Sequence, residues 1–255
     1  MIALFAILFI LGLNGALNAF LKRRTNLVQR PIEAYAAVPS LTSASVEAGR
    51  PIHISFGSAA PGHGSTPLAL ATADFAYYTA QRVTVGDELP LLSVTETSAL
   101  PLAYDTLRRA YEARGPEAVK RYNALRQQRV GVRWYPAATN SLAFASGVTA
   151  MQSEERVETH FLLGRLGVEL ALMAEAAHRE NHTVIAGSDR LEGQAGAFAL
   201  ADHALIGDEV FAAGGYLGQT PEGLRRNRIA DALRLAMVAV LILVSVLSVL
   251  QPGGA

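Results

Sequence analysis

Residues 51–83 read PIHISFGSAAPGHGSTPLALATADFAYYTAQRV. A β-rich apolar run (PIHISFG, 51–57) ends in glycine. A Gly-rich turn follows (GSAAPGHGST, 57–66), and then an alanine-rich stretch (67–83) opens on Pro67 after Ser65 and Thr66. Proline at a first helical position behind hydroxyl residues marks a helix start. The unit is strand, tight turn, helix, and its repetition along the chain decides the fold class.

Working outward, LPLLSVTE (89–96) is a second apolar run. LPLAYDTLRRAYEARG (100–115) is an amphipathic helix closed by Gly115, and EAVKRYNALRQQ (117–128) a short further helix. VGVRWYP (130–136) is a third strand, SLAFASGVTAMQSEE (141–155) a helix and VETHFLLG (157–164) a fourth strand. GVELALMAEAAHREN (167–181) is a helix and HTVIAGS (182–188) a fifth strand. The Ala- and Gly-rich stretch 192–218 reads as helical in two pieces. Short apolar strands alternating with helices predict a Rossmann-like open α/β domain, with a mostly parallel sheet of about five strands and helices on both faces. An all-helical domain is the competing reading.

The ends differ from the middle. Residues 1–20, MIALFAILFILGLNGALNAF, carry no charged side chain. At 1.5 Å per residue they span roughly 30 Å, the hydrocarbon thickness of a bilayer. Basic residues follow the run (Lys22, Arg23, Arg24) instead of preceding it, the pattern of an uncleaved anchor. Leu235–Leu250, LAMVAVLILVSVLSVL, is a second apolar segment that Arg234 extends by snorkelling. The expected organisation is therefore a transmembrane helix at 1–21, a connector holding a short helix at 22–50, the α/β domain at 51–218, a juxtamembrane helix at 219–232 and a transmembrane helix at 233–250. Lys22, Arg23, Arg24 and Arg30 behind one span, and Arg225, Arg226, Arg228 and Arg234 before the other, predict a cytoplasmic middle with both termini outside. Within the first span, Asn14 and Asn18 share a helix face and seek a partner in the second span or in another protomer.

Lys and Arg total 22 and Asp and Glu total 22, so net charge draws no nucleic acid. The absence of cysteine fits a reducing compartment. Gly57 and Gly62 have the spacing of a phosphate-binding P-loop, but His63 stands where the lysine belongs, which removes the nucleotide-triphosphatase reading. No serine lies in a GxSxG elbow, so an α/β-hydrolase is unsupported. The histidines lack metal-ligand spacing, and no metal is expected; cofactors stay unassigned.

Ligands of open parallel sheets bind beyond the carboxyl ends of the strands. The residues just after the predicted strands are therefore the candidate ligand-binding set: Gly62, His63, Gly64, Ser65, Thr66, Glu96, Thr97, Asn140, Arg165 and Asp189. A Gly-rich turn feeding a helix N-terminus favours an anion. Helix capping and turn formation explain many of the same hydroxyls without a ligand. Three functions stay open. One is a membrane-anchored domain binding a small anionic ligand or a partner protein without turnover. The second is a membrane-tethered enzyme with His63 as general base, and the third a scaffold subunit of a membrane complex.

The motifs HISFGSAAPGHGST (53–66), SVTETSALPLAYDTLRRAY (93–111) and ALADHALIGDEVFAAGGYLG (199–218) carry a resemblance. The chain resembles an uncharacterised family of bacterial two-span membrane proteins, known as a domain of unknown function. The resemblance implies the two-span architecture over nearly the whole chain; it carries over no catalytic residue and leaves activity open.

Overall fold

The computed structural model describes residues 29–62, 64–137 and 141–250, together with Gly12 and Gly15 in helical conformation. The first expected span, with Asn14 and Asn18, therefore lies outside the described residues. Two compact units separate: residues 31–217, and a second unit that includes residues 218–250.

The first unit is built on six parallel strands: β1 (Ile52–Gly57), β2 (Leu91–Val94), β3 (Val132–Trp134), β4 (Thr159–Arg165), β5 (Thr183–Gly187) and β6 (His203–Leu205). Their order is β3-β2-β1-β4-β5-β6. The chain winds from β1 to one edge, returns to pair β4 with β1, and winds to the other edge. That is the doubly wound arrangement with its switch point between β1 and β4. The order also explains the strand composition. All six residues of β1 are buried, as are the four of β2. Central strands covered on both faces have no solvent side, so they read as continuous apolar runs.

Helices α1 (Glu33–Ala48), α2 (Thr66–Val83), α3 (Leu100–Glu112) and α4 (Pro116–Gln128) alternate with the first strands. Ile54, Phe56, Leu92 and Phe161 of the sheet share one core with Tyr35, Phe75, Leu107 and Tyr111 of these helices. Helices α5 (Ser141–Glu154), α6 (Glu169–Arg179) and α7 (Leu191–Leu200) cover the other face. There Leu91, Leu162 and Val184 pack with Phe144, Val148, Leu170 and Met173.

The sheet has six strands where the sequence predicts about five. The extra one is β6, inside the stretch read as two helical pieces. That stretch is α7, then β6, then a 3-10 turn (Gly207–Ala212) and a four-residue helix α8 (Ala213–Tyr216). Three residues carry no periodicity to read; pairing makes β6 a strand, with Ala186 opposite Ala204 and Gly187 opposite Leu205. Asp202 anchors its start, its backbone N–H donating to the Val184 carbonyl at 2.9 Å and its carboxylate accepting from the Val184 N–H at 2.8 Å. The segment read as a connector holds the 16-residue helix α1 with Pro39 inside it. Val38 and Tyr35 are buried in the core, and the Tyr35 hydroxyl donates to the Glu209 carbonyl at 2.7 Å.

In the second unit, one unbroken 30-residue helix, α9 (Pro221–Leu250), replaces the separate juxtamembrane and spanning helices. Thr220 caps it by accepting the Gly223 N–H at 3.1 Å. An 18-residue window within Pro221–Val246 reaches a mean hydropathy of 2.3, and almost none of it is buried. Among the described residues this is the one helix long and apolar enough to cross a membrane. Leu235, Met237, Leu241 and Ile242 are exposed along it.

Candidate functional site

Because every strand is parallel, every carboxyl end lies on one rim of the sheet. Gly62, Gly64, Ser65 and Thr66 follow β1, and Glu96 and Thr97 follow β2. Arg165 ends β4, and Asp189 follows β5. His63 and Asn140, the remaining candidates, lie outside the described residues.

The rim is organised by a register shift. Both ladders of β1 slip between Ser55 and Gly57, so Gly57 stands opposite Val94 on one side and Arg165 on the other. Gly57 has φ of +53°, and a Cβ there would lie 2.4 Å from the Arg165 carbonyl oxygen. Gly164 has φ of +108°, and its Cβ would lie 2.0 Å from the Phe56 carbonyl oxygen. Only glycine supplies both the left-handed backbone and this approach. The two central strands thereby meet backbone to backbone at the switch point. Ser58 closes the contact, its N–H and its hydroxyl both donating to the Arg165 carbonyl, at 3.0 and 3.1 Å.

Beyond Ser58 the loop folds on itself. The Ser65 hydroxyl accepts the Ala60 N–H at 3.3 Å. Thr66 Oγ1 accepts the Gly62 N–H at 3.0 Å and donates to the Ala60 carbonyl at 3.4 Å. These hydroxyls shape the turn, and the first turn of α2 has no side-chain cap. Pro67, the second residue of α2, brings no N–H, so what the helix start offers an anion is its partial positive charge.

Across the rim, Arg165 and Asp189 form an ion pair that ties the end of β4 to that of β5, with Nη2 at 2.9 Å and Nε at 3.1 Å from Oδ2. Behind it, the buried Ser188 hydroxyl donates to the Leu166 carbonyl at 2.6 Å and accepts the N–H groups of Leu166 and Arg190, each at 3.1 Å. This hub lies outside the candidate set, because only the β4–β5 pairing shows that residues 22 positions apart in sequence meet there. At the other end, half-buried Glu96 and exposed Thr97 open a 3-10 turn. The Trp134 indole N–H donates to the Thr95 carbonyl at 2.8 Å. Trp134, which the motif reading passed over, joins the β3 end to this side of the rim.

A cavity of about 470 Å³ opens at the opposite, amino end of the sheet, lined by Arg50, Glu88, Arg129, Glu155 and Arg156. Its charges are largely matched internally: Arg129 reaches Glu88 at 3.0 Å and Glu155 at 3.2 Å, and Arg133 also pairs with Glu155. Burial pushes the Glu88 carboxyl above its ordinary range. Among the described residues, no group of three or more His, Cys, Asp or Glu side chains is gathered as metal ligands.

Fold and rim together define a doubly wound α/β protein whose chain also carries a helix able to cross a membrane. A family profile described as "Domain of unknown function (DUF6754)" matches residues 1–253, and the chain belongs to that family. No curated protein and no solved structure matches it.

Proposed function

We propose that the protein is a two-span, membrane-anchored α/β domain, cytoplasmic with both termini outside, that binds a small anionic ligand at the carboxyl rim without turnover. One observation carries the reading: the positive end of α2 lies behind the Gly-rich loop beside the β1/β4 switch point. Switch points are where doubly wound sheets hold ligands, and helix starts attract anions. Arg165 adds a cation that Asp189 orients, and Glu96 and Thr97 supply polar selectivity at the β2 end. The apolar length of α9 and the arginines in its amino-terminal half support the anchoring and its direction.

Gly64 provides the test, because a Cβ there meets nothing within 4 Å and no left-handed φ is required. Gly64→Val should fold as the natural chain does while blocking the approach to α2. The full-length protein is screened by thermal shift against phosphate, phosphate esters and small carboxylates. At least one should raise Tm for the natural chain and leave Gly64→Val unmoved. If none raises Tm, or if the variant responds equally, the reading is overturned.

A further inference from the structure

A row of polar side chains crosses the sheet at the level of its amino-terminal half, beneath the helices of the second face. His53 of β1 stands opposite His160 of β4 in register. The His53 Nε2 lies 2.8 Å from the Ser93 hydroxyl of β2, and its Nδ1 lies 3.5 Å from His160 Nδ1. The His160 Nε2 lies 3.1 Å from Nδ1 of His182, the residue before β5. The His182 Nε2 faces the Glu180 carboxylate at 3.7 Å. Ser93, His53 and His160 are fully buried, so the row meets solvent at the His182 end.

The nitrogens point at one another in single file, so they converge on no common ion. A neutral imidazole has one N–H, so a chain of them carries one direction at a time. With a carboxylate at the outer end, which only accepts, the favoured direction runs outward. His182 Nε2–H points to Glu180, His160 Nε2–H donates to His182 Nδ1, His53 Nδ1–H donates to His160 Nδ1, and the Ser93 hydroxyl donates to His53 Nε2.

We infer that this row is a proton-operated relay, in which one proton taken up by His182 reverses every hydrogen bond from the sheet margin to Ser93. A protonated His182 is a donor at both nitrogens. His160 must then accept at Nε2 and donate from Nδ1, His53 must accept at Nδ1 and donate from Nε2, and Ser93 must accept. The row gains one proton net, and it resides on His182; each inner ring gives the hydrogen of one nitrogen to water and takes one from water at the other during local opening, so both rings remain neutral. Burial keeps His53 and His160 neutral, pushing both below the ordinary imidazole range. Near His182 stand Glu180, which accepts the Ser153 hydroxyl of α5 at 2.5 Å, and Glu158, which is paired with Arg50. The Val157 carbonyl also faces His160. Of the covering helices, α5 contributes the buried Gln152, and α6 contributes His178, bonded to the Leu200 carbonyl at 2.5 Å. The inner end has a structural address. Ser93 is the register partner of Ser55, whose hydroxyl accepts the Gly57 N–H at 3.1 Å, at the slip beneath the rim.

The test is ring-nitrogen NMR of the full-length, detergent-solubilised protein labelled with 15N-histidine, titrated downward from pH 8. His160 and His53 should each exchange which nitrogen carries hydrogen, in the same pH step in which His182 gains its second N–H. In His182→Phe, the two inner rings should hold one tautomer throughout that range. Inner rings that stay unmoved while His182 titrates would overturn the relay, as would inner rings that still switch in His182→Phe.

Discussion

Two residues with positive φ lead to opposite expectations. At Gly164, φ is +108° and a Cβ would fall 2.0 Å from the Phe56 carbonyl oxygen. Gly164→Ala must move the two central strands apart as well as strain its own backbone, and should cost about 3 kcal/mol or more in a chemical-denaturation midpoint series. Arg156 has φ of +55° two positions after α5, where Val157 N–H reaches back to the Gln152 carbonyl at 3.2 Å. That is the closing turn that glycine ordinarily occupies. Arg156 is exposed, and Arg156→Gly relieves a left-handed L-residue without emptying the core, so stability should rise by about 1 kcal/mol. A loss of stability would mean that the Arg156 side chain contributes more at the amino-end cavity than its backbone costs.

At the scale of elements, legibility followed burial and length. β1, β2, β4 and β5 were readable because strands covered on both faces become apolar runs bounded by turns. β6 was not, because its strand character resides in pairing with β5. If so, Asp202→Ala, which strips the acceptor from the Val184 N–H, should cost about 1–2 kcal/mol. Amide exchange should quicken first at residues 203–205 and 184, and uniform quickening across the sheet would contradict this account. Pro39 made α1 look like a connector; burial of Tyr35 and Val38 outweighs the missing N–H. For the candidate site, the rim was legible because parallel strands send all their ends one way. The Gly57–Gly164 contact, the Ser188 hub and the histidine row were not, because each joins residues that only strand order brings together.

At the scale of the whole molecule, acid should weaken the α/β unit before the carboxylates titrate. His53 is held down to about pKa 3 by burial, from 6.5. Below pH 6.5 the unfolded chain takes up a proton that the native chain refuses. The stabilisation is therefore complete above that pH and is lost as pH falls toward 3, at about 1.4 kcal/mol per pH unit per buried imidazole. Denaturation profiles between pH 6 and 4 should show that slope, and His53→Leu should remove roughly one proton's worth of it; an unchanged slope would mean that His53 is solvated. The placement of the chain in a bilayer is tested separately, and the lack of any cysteine makes this direct. Arginines 225, 226, 228 and 234 stand in the amino-terminal half of α9, and QPGGA (251–255) beyond its other end has no charged side chain. The proposed topology, which follows the rule that basic flanks stay in the cytoplasm, has residue 254 outside and exposed Val85 inside. In intact cells, a membrane-impermeant maleimide should label Gly254→Cys and spare Val85→Cys until the membrane is permeabilised. The reverse pattern would invert the topology and put the candidate rim on the far side of the membrane. Labelling of both in intact cells would remove the anchor.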